Sequence, residues 1–82
     1  MLIKVLFFAR LKEQLGCSSI NIELVEGSNT ENLTEQLINT GSAWSVLADD
    51  SVLVALNQQQ INDVQRLKNG DEVAFFPPVT GG

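Results

Sequence analysis

Residues 2–8, Leu-Ile-Lys-Val-Leu-Phe-Phe, constrain the fold more than any other stretch of this chain. Side chains alternate across a strand, so Leu2, Lys4, Leu6 and Phe8 share one side and Ile3, Val5 and Phe7 the other. Both sides are apolar except for Lys4, which must reach water and so marks the outer face. A strand of this composition belongs in the centre of a sheet. With 82 residues, the chain is near the size at which burying a core becomes marginal. It is expected to form a single small domain around that strand.

The remaining elements follow in order. Residues 9–15 read as a short helical turn with Leu11 and Leu15 inward, stopped by Gly16 in the left-handed conformation. In residues 18–25, Ile20, Ile22 and Leu24 alternate with Ser19, Asn21 and Glu23, a half-buried strand suited to an antiparallel partner. Glu26-Gly27 turns the chain. Ser28 or Asn29 then caps a helix running to about Asn39, and Ser28-x-x-Glu31 has capping-box spacing. Leu33, Leu37 and Ile38 give it a narrow apolar stripe. Residues 42–47 read as a short helical segment with Trp44 and Leu47 over the core edge; the alternative for Trp44 is a partner contact. Residues 52–56 form a third strand, and Gln60 and Ile61 a brief fourth pairing. Leu67 anchors the loop before the last strand.

The last thirteen residues, GDEVAFFPPVTGG, read as a turn, a strand, a stiff neck and a bare tail. Asn69-Gly70 is a turn dipeptide. Residues 72–76 are strand formers. Pro77-Pro78 ends any ladder, because neither residue has an N–H to donate. The expected organisation is a folded domain over residues 1–76 and an extended tail over 77–82. Gly81 and Gly82 carry no side chain, so such a tail can thread a narrow channel. Five residues beyond Pro77 reach about 17 Å when extended. A free carboxylate on Gly82 is a poor electrophile until activated, for instance as an acyl-adenylate; the plainer alternative is an unused chain end. On the last strand, Glu72 must be wet, which places Ala74 and Phe76 on its side and Val73 and Phe75 opposite. Phe76 then joins Phe8, Leu6 and Lys4 on one face. An apolar patch rimmed by charge marks an interaction site unless loops cover it.

The terminal string resembles the C-terminus of the small, sulfur-carrying subunit of molybdopterin synthase, a ubiquitin-like family. The opening Leu6-Phe-Phe-Ala-Arg-Leu-Lys-Glu13 with Leu15-Gly16 is similar to that family's start, and Asn57-Gln58 is a third point of likeness. Between Ser18 and Asp50 only the pattern of elements agrees. The resemblance implies an α+β fold of the ubiquitin-like β-grasp type. In it a mixed sheet of four to five strands carries one main helix on one face, the first and last strands are parallel neighbours, and an extended Gly-Gly tail follows. It also implies that an E1-like adenylyltransferase activates Gly82 with ATP. A sulfur donor then converts the carboxylate to a thiocarboxylate, and the large synthase subunit uses it, within a heterotetramer, to build the dithiolene of molybdopterin from a cyclic pyranopterin precursor. Gly82 would supply the reacting atoms, Val79, Thr80 and Gly81 the threading segment, and Phe8, Phe76, Pro77 and Pro78 the docking shoulder. No bound cofactor is implied. Two alternatives share the activation chemistry: a ubiquitin-like modifier joined to lysines through Gly82, and a sulfur carrier for another pathway.

Other function classes fit the residues poorly. A self-contained enzyme lacks its usual groups, since the chain has no His and no Gly-rich phosphate loop. Cys17 is alone, so no internal disulfide forms, and its place after a helix stop gives no reason for reactivity. Asp49-Asp50 has no further ligand nearby to complete a metal site. A formal charge of −5 disfavours nucleic acid and suggests partners with a basic surface. The apolar run of residues 5–9 is too short for a signal sequence, and no stretch approaches the roughly 20 residues of a membrane helix. A cytoplasmic location is expected.

Overall fold

The first strand sits where its composition requires, inside a mixed five-stranded sheet. The computed structural model describes residues 1–77. Its elements are β1 (Leu2–Phe7), α1 (Ala9–Leu15), β2 (Ser19–Glu23), α2 (Thr30–Ile38), a 3-10 helix (Ser42–Ala48), β3 (Leu53–Leu56), β4 (Gln59–Ile61) and β5 (Glu72–Phe76). The strand order is β2-β1-β5-β3-β4. β1 runs parallel to β5, and every other pair is antiparallel. The first and last strands are therefore neighbours in the middle of the sheet.

The alternation along β1 and β5 decides what is buried. Ile3, Val5 and Phe7 join Val73 and Phe75 in the core, beneath Leu33 and Leu37 of α2. Phe7 stacks on Phe75 with ring centroids 5.9 Å apart, and Trp44 meets the Phe7 ring edge-on at 5.4 Å. Trp44 is thus a half-buried lid, supplied by the 3-10 helix together with the buried Leu47. Leu11 closes the core from α1, and Leu67 is buried in the loop before β5, as expected.

Two turns are set by backbone conformation. Gly16 ends α1 at φ 74°, with its N–H donating to the Lys12 carbonyl, which is the left-handed cap that glycine allows without steric cost. Asn57 and Gln58 make the two-residue β3–β4 turn with φ of 50° and 72°. Positive φ at both positions matches the twist of a hairpin. Asn57 is also tied to β5: its Oδ1 accepts from the Glu72 N–H at 3.0 Å and its Nδ2 donates to Asp71 Oδ1 at 3.1 Å.

Of the two expected caps of α2, Asn29 is the one used, and the box is closed with Asn32 and not by Ser28 with Glu31. Asn29 is the cap: its side chain accepts from the Asn32 N–H at 2.8 Å, and the Asn32 side chain accepts from the Asn29 N–H at 3.0 Å. The reason is tertiary. Ser28 O accepts from Leu67 N, Thr30 N donates to Gln65 O, and Asn29 bridges Arg66. That pairing holds the entry extended through Asn29, so the helix starts one residue later.

Candidate functional site: the shoulder at the end of β5

The β1–β5 register opposes Phe7 and Phe75, which places Phe8 and Phe76 side by side one step further on. The Phe8 N–H donates to the Phe75 carbonyl at 3.2 Å, extending the pairing past the last ladder residue. The two rings stack face to face, 4.7 Å apart and only 7° from parallel. They lie on the sheet face opposite α2, because their neighbours Phe7 and Phe75 are the ones in the core. Phe8 is 41% exposed and Phe76 half-buried, so among the described residues no loop covers the pair.

Residues not singled out from sequence extend this patch. Leu53 pairs with Phe76 and Ala55 with Ala74, so both share the open face. Leu53, Ala55 and Phe76, with Gln58 and Gln60 at the edge, line a shallow groove of about 270 Å³. The alternation of residues 52–56 put Leu53 and Ala55 on a common side. Which side needed the β3–β5 register, which is not local information.

Ala9, directly after Phe8, has φ of 52°. An Ala in this region costs about 1–2 kcal/mol, and nothing in the sequence marks it. The conformation turns the chain from the extended Phe8 into α1, leaving the Phe8 ring at the sheet end.

Pro77 follows β5 and is half-buried beside Arg10 and Val46. Pro78, Val79, Thr80, Gly81 and Gly82 lie outside the described residues. Asp49 accepts from the Ser51 N–H at 2.9 Å and the Ser51 hydroxyl at 2.7 Å, which hold its carboxyl below the usual 3.8. It caps a turn, and no group of three potential metal ligands occurs among the described residues. Cys17 is a free thiol, half-buried against the core. No helix among the described residues is long and apolar enough to cross a membrane.

The ThiS family profile matches residues 5–82. The chain belongs to the ThiS family. A molybdopterin synthase sulfur carrier subunit from Haemophilus influenzae is 42% identical over 82 residues, covering 99% of this chain and 100% of that one. Subunit 1 and 2 of the molybdopterin-converting factor from Helicobacter pylori have been solved as a protein–protein complex. One of its chains matches this ThiS-family chain with a TM-score of 0.74 and 26% identity, covering all of both. SAMP1 from Haloferax volcanii superposes with a TM-score of 0.87 at 22% identity, again over all of both chains. That last likeness carries the fold alone. The fold is α+β, a ubiquitin-like β-grasp, in agreement with the order of elements read from the sequence.

Proposed function

We propose that this protein is the sulfur carrier subunit of a molybdopterin synthase and that its own C-terminus is the reagent. The observation that carries the reading is the 42% identity with a relative bearing that name, over 82 residues that cover 99% of this chain. The exposed Phe8–Phe76 stack at the root of the tail supports it, because it offers a partner an apolar seat beside the segment to be threaded.

The Gly82 carboxylate attacks the α-phosphorus of ATP on an E1-like adenylyltransferase, releasing pyrophosphate. A hydrosulfide equivalent from a sulfur donor then adds to the acyl carbon and expels AMP, leaving the thiocarboxylate, with one proton lost. The large synthase subunit seats the shoulder formed by Phe8, Phe76, Pro77 and Pro78. Val79, Thr80 and Gly81 thread its channel, and the thiocarboxylate sulfur bonds to a carbon of the cyclic pyranopterin precursor as an oxygen substituent leaves it; water then cleaves the acyl–sulfur bond and restores the Gly82 carboxylate. This chain's contribution is positional. It holds the root of the tail rigidly on the two central strands, so the reactive atom is delivered at a fixed reach.

The test is mass spectrometry of the protein after incubation with its activating enzyme, ATP and a sulfur donor. The wild-type chain gains the mass difference of sulfur replacing one oxygen at Gly82. Deleting Gly82 moves the chain end by about 3.3 Å, and misplacement near 1 Å costs roughly a hundredfold, so transfer is abolished. One residue added after Gly82 has the same outcome. Both chains keep the wild-type melting temperature, because the buried core lies within residues 3–75. Near wild-type transfer by either altered chain rejects the mechanism. Conjugates on lysine side chains in the same mixture support a protein-modifier role instead.

A further inference from the structure

A formal charge of −5 suggests a basic partner, yet the fold distributes the charge unevenly. Lys4 and Lys12 line a groove of about 410 Å³ that runs from β1 onto α1, with Leu6 and Phe8 among its walls. Both lysines are exposed. Among the described residues neither has a carboxylate within 4.0 Å, the ion pair found there being Met1 N-terminus to Glu26 at 3.8 Å. Glu72 stands opposite Lys4 in the β1–β5 register but lies beyond that distance. Among the described residues no carboxylate lines this groove. The one beside α2, by contrast, is lined by Glu31, Asp50 and Asp63 with no Lys or Arg.

The Phe8 ring belongs to both the lysine groove and the aromatic stack. A stable protein interface covers roughly 800 Å² on each partner, far more than two half-exposed rings supply. A partner seated on Phe8 therefore extends over neighbouring surface, and Lys12 and Lys4 stand on one side of that ring. We propose that this groove is the electrostatic half of the shoulder and that it receives carboxylate side chains of the large synthase subunit. The proposal rests on the sulfur-carrier reading above and deepens it. Its sign is opposite to the one that net charge suggests: the acidic carrier docks through its cations.

The experiment measures association and dissociation rates with the purified large subunit of the same organism, at low and high salt. Lys12→Glu slows association about tenfold at low salt, an effect that added salt erases. Lys4→Gln acts in the same direction with a smaller effect. Lys12→Arg keeps the wild-type rate. Lys68→Glu makes the same charge change in the loop before β5, at the other end of the sheet, and alters the rate less than about twofold. Each variant is checked for an unchanged melting temperature. Faster association of Lys12→Glu, or an equal response to Lys68→Glu, overturns the proposal. Wild-type binding that ignores all these changes sinks the proposal alone. If the wild-type chain does not associate at all, the sulfur-carrier reading and this inference fall together.

Discussion

At the residue scale, one step along the chain separates a core ring from a ring on the open face, at the ends of both central strands. Phe7 and Phe75 are 2% and 1% exposed, whereas Phe8 is 41% exposed and Phe76 half-buried. Phe7→Ala empties a packed site between Phe75 and Trp44 and costs about 3–5 kcal/mol. Each kcal/mol moves the melting temperature of a domain this size by about 4–8 °C, so thermal unfolding shows a loss above about 12 °C. Phe8→Asp removes an exposed ring and its stack on Phe76, a contact worth about 0.5–1.5 kcal/mol. It leaves the domain folded by circular dichroism while weakening association with the large subunit. If Phe8→Asp unfolds the chain, the ring is a core residue and the shoulder is misassigned.

At the element scale, two short connections carry residues whose roles become evident only in place. Asn29→Ala removes the arm in which its side chain accepts from the Asn32 N–H, keeps the backbone arm to the Asn32 side chain, and destabilises by about 1 kcal/mol. Ser28→Ala, which removes a hydroxyl outside that box, changes stability by less than about 0.5 kcal/mol. Urea midpoints of the two variants separate these effects, and equal losses would mean that the cap is shared. In the β3–β4 turn, Gln58 holds a φ of 72° that a side chain disfavours. Gln58→Gly relieves part of a strain of about 1–2 kcal/mol against the greater freedom of glycine in the unfolded chain. The expected outcome is a higher urea midpoint with an unchanged slope. Asn57→Gly lacks that benefit, because it deletes the side-chain bonds to Asp71 and Glu72.

At the scale of the whole molecule, the central pairing joins the two ends of the chain, since β1 lies parallel against β5. The shoulder therefore exists only when the full sheet has closed, and the domain should unfold as one unit. Trp44 reports on this through its contact with Phe7. Its fluorescence and the far-ultraviolet circular dichroism are expected to give coincident urea transitions. Amide hydrogen exchange should be slowest in β5, flanked on both sides, and fastest in the three-residue edge strand β4. Noncoincident transitions would mean that the shoulder can be lost without the core.

The sequence by itself determined the inner and outer faces of β1 and β5, because a period of two with Lys4 and Glu72 as polar markers leaves one assignment. It also determined the main helix of the cover and the end of β5 before Pro77, since these follow from local periodicity and from a missing N–H. The tertiary structure decided what depended on partners distant in sequence. The β3–β5 register turned Leu53 and Ala55 toward the shoulder, and the pairing of residues 28–30 with 65–67 chose Asn29 over Ser28 as the α2 cap. The chain path through Ala9 and α1 brought Lys12 beside Lys4. Periodicity records which residues share a face of one element, whereas a surface is assembled from several elements, and only their packing says which faces coincide.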